Sequence, residues 1–183
     1  MGSIAKTWGS TETERSAAFP CDAHVAEPFV DLFRAVSIDA PPGVVFRWLC
    51  QLRVAPYSYD WLDNFGRTSP RALTPGLDDL ARGQRVMTIF RIVDFARDDH
   101  LTLAVNARLV QLLLGDLAVT YRVVGAEGHG SRLVVKLRGR SGRTFLGRAR
   151  AWLLSWGDLV MMRKQLLTLK RLAERDAHDG GSG

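Results

Sequence analysis

The densest run of chemically capable side chains is YSYDWLDN, residues 57–64, which holds two tyrosines, a tryptophan, two aspartates and an asparagine. On a short helix Tyr57, Asp60 and Trp61 share one side, and Tyr59 and Asp63 share another. Rings in such a segment can clamp a flat ligand while the hydroxyls orient it. Asp60 is the candidate general base, provided burial raises its pKa. Equally, Asp60 pairs with Arg53 or Arg67, and the segment only ties helices to a sheet.

The second anomaly is Arg163. On a helical wheel at about 100° per residue, Phe145, Ala149, Trp152, Trp156, Leu159, Val160, Leu166 and Leu167 form one stripe with Arg163 in its middle. A charge taken into apolar surroundings needs a partner or a polar ligand. One reading has the guanidinium reaching into a cavity to hold a carboxylate, phosphate or phenolate, which its fork suits. The other has it paired with Asp60 or Asp63, or snorkelling past the sheet edge. Trp152 and Trp156, one turn apart with Met161 and Met162 nearby, suit an apolar pocket and equally an ordinary core. Tyr121 is the polar-tipped residue on an apolar strand face, so its hydroxyl is expected to point inward, to a ligand or to protein. The candidate ligand contacts are therefore Tyr57, Tyr59, Asp60, Trp61, Tyr121, Trp152, Trp156 and Arg163.

Other chemistry finds little support. His24, His100, His129 and His178 lack the spacing of a zinc site. Neither a nucleophile elbow nor a phosphate-cradling or dinucleotide glycine motif is present, so neither metal nor cofactor is expected.

The elements that must position these residues follow from periodicity. Phe29 to Asp39 alternates as a strand, with Leu32, Val36 and Ile38 facing the core and Arg34 on the same parity at a less buried end. Ala40-Pro41-Pro42-Gly43 breaks it and opens a helix to about Leu52; a second short helix runs from Tyr57 to about Phe65, capped by Gly66. The stretch from Arg67 to Gln84 reads as a loop with one short edge strand. Four strands follow: RVMTIFRIVDFA, HLTLAVNARL, GDLAVTYRVVGA and SRLVVKLRGRS. VQLLLG reads as a turn, with Gly115 marking a bulge. One parity is apolar and the other carries Arg108, Arg122, Arg132, Lys136 and Arg138, as for a sheet wet on one face. Arg143 to Arg175 is a helix about 48 Å long, and Gly157 within it, at about 1 kcal/mol against alanine, signals a kink or close sheet approach.

At 183 residues the chain suits one domain. Residues 1–27 are expected to be a flexible leader, 28–176 a single ligand-binding domain and 177–183 a disordered tail. The net charge of +6, with 21 arginines, is spread along the chain, which argues against nucleic acid as partner. Cys21 and Cys50 suggest neither disulfide nor metal. Without a signal-peptide core or a membrane-length apolar run, a cytoplasmic location is the default and integral membrane association is not expected. Oligomeric state is left open.

The segment SIDAPPGVVFRWLCQL, followed by PYSYDWLDNFGRTSP, resembles the N-terminal signature of the SRPBCC superfamily, the START-like, polyketide-cyclase-like helix-grip group. WGDLVMMRKQLLTLKRLAE is similar to its C-terminal helix, so the resemblance covers residues 29 to 175. It implies an α+β helix-grip fold: a curved antiparallel sheet of about six or seven strands wrapped on a long C-terminal helix, with two short helices after the first strand. Its members bind lipids, hormones or aromatic polyketides, and some catalyse cyclisation or dehydration.

The leading expectation is a carrier for a hydrophobic, aromatic or lipid-like small molecule held between sheet and helix. The alternatives are a cofactor-independent cyclase or dehydratase using Asp60, Tyr57, Tyr59 and Arg163, and an interaction or stress-response module that presents the basic sheet face to an acidic partner.

Overall fold

Alternating strands and one long amphipathic run give six antiparallel strands and a terminal helix in the computed structural model. It describes residues 4–58, 68–126, 128, 130–140 and 145–180, and leaves aside the side chains of 109, 113, 114, 145–156 and 158. The strands are β1 (Phe29–Ile38), β2 (Arg85–Val86), β3 (Phe90–Ala96), β4 (His100–Val105), β5 (Leu117–Gly125) and β6 (Ser131–Arg140), in sheet order β1-β6-β5-β4-β3-β2. The helices are α1 (Ile4–Thr7), α2 (Glu12–Ser16), α3 (Pro42–Cys50), α4 (Arg108–Leu114) and α5 (Phe145–Gly180).

The proline pair acts as expected. Pro41 is the N-cap of α3 and Pro42 its first residue, and a 3-10 turn, Gln51–Arg53, continues it. The α3 side chains Val45, Trp48, Leu49 and Leu52 of that turn are all at most 1% exposed, in one core with Leu101, Leu103, Val119, Val123, Leu133 and Val135 from the sheet. Leu166, Leu169 and Ala173 of α5 close the same core. The described part of α5 packs chiefly on β1 and α3. Much of the sheet's concavity is therefore filled by α3, together with Leu73, Leu77 and Leu80 from the irregular stretch before β2.

That stretch, from Thr68 to Gln84, holds no strand. It is pinned by the Gln51 amide, which accepts from Thr74 N at 2.9 Å and donates to Thr74 O at 3.4 Å. RVMTIF is not one strand either. Met87 and Thr88 take φ values of 47° and 65°, which fold β2 back on β3. The β-bulge lies in β3, between Ile92 and Asp94. Gly115 has another role: with φ 79° it ends α4, donating its N–H to Gln111 O. VQLLLG is a helix rather than a turn, because a run of leucines with no β-branched residue after Val110 and a glycine stop satisfies helix rules. Leu109 accordingly belongs to α4 and not to β4.

The largest departure is at the start of the chain. Where a flexible leader is expected, residues 4–9 run along β1 at the edge of the sheet, with Trp8 packed on the inner core, and residues 14–25 cover the outer face. Ala35 N donates to Trp8 O, and Gly9 (φ 73°) lies so close to β1 that a Cβ there would meet Ala35 O at 2.1 Å. Phe19, Cys21 and Val25 form a second core with Phe33, Ala35, Ala118 and Val134. Cys21 N donates to Thr120 Oγ1, which also bonds Thr102 Oγ1 at 2.9 Å. The face read as wet is a covered one. Arg34 has the opposite, inner parity with Val36 and Ile38 and is registered with Val135, yet it is not at a less buried end: it is 1% exposed, and its guanidinium donates to Phe33 O and Ala5 O. The far end also continues beyond expectation, since α5 runs to Gly180 with Ala177 packed on the core.

Candidate functional site

The buried stripe of α5 is Leu159, Met162, Leu166, Leu169, Leu172 and Ala173, and the polar residue it carries is Gln165, 3% exposed. Tyr121, 1% exposed on the inner face of β5, is aimed at it by the register of β5 with Leu101 and Val135. The Tyr121 hydroxyl donates to Gln165 Oε1 at 2.8 Å, and Gln165 Nε2 donates to Pro56 O at 2.6 Å. Two thioethers flank the pair. Met162 Sδ is 3.8 Å from the Tyr121 hydroxyl and Met87 Sδ is 3.6 Å from Gln165 Nε2. A polar couple inside an apolar wall, edged by adaptable side chains, can orient one polar group of a mostly apolar body.

Tyr57 stands beside this region. Its φ of 56° is left-handed rather than helical, and its ring meets Trp48 edge-on with centroids 5.9 Å apart. Trp48 Nε1 in turn donates to Asp176 Oδ2 at 3.0 Å. Tyr57 also reaches the floor of a cleft of about 280 Å³ between the flank of α5 and residues 68–71.

Of the other expected site residues, Tyr59, Asp60 and Trp61 lie outside the described residues, as does the helix expected over 57–65 beyond Ser58. Trp152 and Trp156 lie on α5, with side chains outside the described set. Arg163 is a correction. It is exposed, on the side of α5 toward α1, with its guanidinium 5.7 Å from the centre of the Trp8 ring. The helix turns Gln165 inward, and a residue two positions earlier stands about 200° away on the wheel. Val160, expected in the stripe, is 52% exposed, and Gly157 faces open space instead of the sheet.

The basic sheet face is corrected on the same grounds. Lys136 Nζ lies 2.6 Å from Asp22 Oδ1 and 3.3 Å from Asp31 Oδ2, with its side chain 5% exposed. Arg138 forks onto Asp31 through Nε and Nη2, both at 2.7 Å, and Arg132 Nε meets Glu14 at 2.7 Å. Burial disfavours charge on Asp22 and Glu14. Lys136 with the Phe19 N–H, and Arg132 with the Thr11 N–H, outweigh it and hold both carboxyls below their ordinary range. These cations serve the leading segment and are not offered to a partner.

Neither cysteine is poised as a nucleophile. Burial, reinforced by Asp78, pushes the Cys50 thiol up to about 12, and burial raises Cys21 as well. Among the described residues no group of three His, Cys, Asp or Glu side chains could hold a metal ion. No described helix is long and apolar enough to cross a membrane. Gln165, Met87 and the cations of the α5 flank were not singled out by residue type. A wheel anchored on the leucines of the second half of α5 finds Gln165.

Neither a protein-family model nor a curated protein sequence matches the chain. Solved structures do. Protein NE0264 from Nitrosomonas europaea superposes with a TM-score of 0.50 at 11% identity, over 83% of this chain and 98% of that one. Protein MLL2253 from Mesorhizobium loti gives 0.49 at 17% identity, over 79% and 97%. The di-domain ARO/CYC StfQ from the steffimycin biosynthetic pathway gives 0.48 at 12% identity, over 82% of this chain and 52% of that one. The chain has the helix-grip fold. In helix-grip terms α5 is the gripped helix, and the Tyr121–Gln165 couple joins it to the sheet that grips it.

Proposed function

We propose that the protein binds a small molecule with an apolar, aromatic or lipid-like body between the sheet and α5, and that Tyr121 and Gln165 orient its polar end. The observation that carries this reading is the buried Tyr121–Gln165–Pro56 chain in an otherwise apolar wall. Polar pairs of this kind contribute only about 1 kcal/mol each to stability, and apolar residues of the same shape would serve a core as well. The chain therefore favours a role in recognition. A ligand carbonyl can take the place of Pro56 O as acceptor from Gln165 Nε2, and Met162 and Met87 can re-pack around bodies of different outline. Trp152 and Trp156 are offered as ring surface for the same ligand, and Tyr57 as its neighbour beside Trp48. The free thiols Cys21 and Cys50 agree with a reducing, cytoplasmic setting.

Native mass spectrometry of freshly purified protein, followed by titration with a panel of lipids and aromatic polyketides, tests the reading. A bound small molecule, weakened about tenfold by Gln165→Leu as expected for one lost hydrogen bond in a dry site, is the expected result. A protein that carries nothing and binds no member of the panel overturns it.

A further inference from the structure

The flank of α5 facing residues 68–71 carries Lys164, Thr168, Arg171 and Arg175, spaced so that all four rise along one side of the helix. Ser69 and Arg71 stand opposite, and the cleft between them is lined by four cationic side chains and no acid among the described residues. Two of its members are committed to the protein. Arg175 meets Asp176 Oδ1 through Nε and Nη2, and its Nη2 also donates to Arg71 O at 2.7 Å, which ties the 68–71 wall to the helix. Thr168 Oγ1 donates back to Lys164 O at 2.8 Å. The side chains of Arg71, Lys164 and Arg171 have no ion pair or hydrogen bond to any described residue. Elsewhere on the helix the pattern is different: Lys170, one turn away, is paired with Glu174.

Cations gathered on one concavity repel each other until an anion joins them. A carboxylate would balance one of the three charges. A phosphate monoester, carrying about −1.5 to −2 near neutral pH, balances two and offers oxygens that guanidinium forks match. At about 280 Å³ the cleft is just under the usual range for drug-sized ligands, room for a phosphate with a small body attached. At its floor Leu172 and Tyr57, 8% and 1% exposed, provide an apolar margin beside the cations.

We propose that this cleft binds a phosphate-bearing small anion, with Arg71 and Arg171 forking onto its oxygens and Lys164 adding a third charge. The phosphate belongs either to a soluble monoester or to a lipid headgroup. The site contains neither Tyr121 nor Gln165, although Tyr57 borders both, and it stands whether or not that couple holds a ligand.

Calorimetric titration with inorganic phosphate and with glycerol phosphate, at fixed ionic strength, reads the soluble source. Sedimentation with phosphatidylcholine vesicles, with and without phosphatidic acid, reads the headgroup source. Lys164→Gln/Arg171→Gln replaces exposed side chains and leaves the fold intact; Arg163→Gln, exposed on the other flank, is the control. Saturable binding in either arm, at least about tenfold weaker in the double variant for the loss of charge-assisted bonds and unchanged in the control, is the expected result. No binding in either arm, binding undiminished in the double variant, or equal weakening by Arg163→Gln overturns it.

Discussion

Asp22→Asn is the sharpest probe of how the start of the chain is held. Lys136 Nζ lies between Asp22 and Asp31, its side chain 5% exposed, and within 5.5 Å of the Phe19 and Phe33 ring centres. Asparagine keeps the shape and an oxygen for the Phe19 N–H, so the substitution removes charge and little else. Stranding one member of a buried pair costs about 3–5 kcal/mol. Here Asp31 stays 3.3 Å from Nζ and Asp22 itself is 27% exposed, so about 2 kcal/mol is expected after discounting for the second partner and for solvent. In a domain of this size that lowers Tm by about 4–8 °C. Lys136→Met is the matching arm. It removes the buried cation and fills the same space between two aromatic rings, so its cost should fall below that of Asp22→Asn despite deleting both contacts. Urea and thermal unfolding of both variants decide the matter. If Lys136→Met proves the more damaging, the cation is a net contributor, and the account of the segment as a charge-neutralising cover is wrong.

Three further outcomes follow from the same geometry. Gly9→Ala should cost about 2–3 kcal/mol in urea unfolding, because a left-handed alanine alone costs about 1–2 and its Cβ would sit 2.1 Å from Ala35 O; a loss under about 0.5 kcal/mol would mean the Trp8–Gly9 turn does not rest on β1. Glu14 and Asp22 have carboxyl pKa values lowered by Arg132 and Lys136 against the opposing effect of burial, so their contribution is complete above the ordinary carboxylate pKa of about 4 and is lost as pH falls through the lower folded values. Hydrogen exchange over residues 4–25 should therefore be flat from neutral pH to about 5 once the intrinsic rate is removed, and protection should fall below about 4; loss beginning near pH 6 would contradict this. Tyr121→Phe should cost about 1 kcal/mol and Gln165→Leu about 1–3, since the latter strands both the tyrosine hydroxyl and Pro56 O; equal costs near zero would show that the chain of bonds opens to water.

The sheet and the long helix were legible because each has a period that only one element satisfies: alternation over Leu101, Leu103 and Val105 and over Leu133 and Val135 turned out to mark buried faces. Its opposite parity misled, since Thr102, Thr120 and Lys136 are polar and yet covered. What covers them has no period. Phe19, Cys21 and Val25 are isolated apolar residues in a polar segment, and only the sheet beneath gives their spacing a meaning. The phase of α5 failed for a related reason. Arg163 follows Trp156 by seven residues, about 20° on the wheel, so anchoring the stripe on Trp152 and Trp156 carries Arg163 into it. Anchoring on Leu159, Met162, Leu166 and Leu169 puts Gln165 there instead. The cleft could not be read at all, because Arg71 and Arg171 meet only through the path of a segment without regular structure.

The covered face also changes what the positive net charge means. On the sheet, Arg132, Lys136 and Arg138 face Glu14, Asp22 and Asp31, so those basic residues are neutralised within the fold and add nothing to an outer field. The packed segment thus does two things at once. It buries the second core, and it removes the most obvious basic surface from competition for anionic partners. Excess charge is left where no acid has been supplied among the described residues, and three such cations, Arg71, Lys164 and Arg171, converge on one cleft. Spread evenly, a net charge of +6 would attract any polyanion weakly and be screened beyond about 8 Å at physiological salt. Concentrated on one concavity, it can select a small anion by geometry. If that holds, Asp22→Asn should make the outer face of the sheet a second, salt-sensitive anion site while leaving phosphate affinity at the α5 flank unchanged. A fall in affinity at the flank would mean that the two charge systems are coupled through β1, on which both the leading segment and α5 rest.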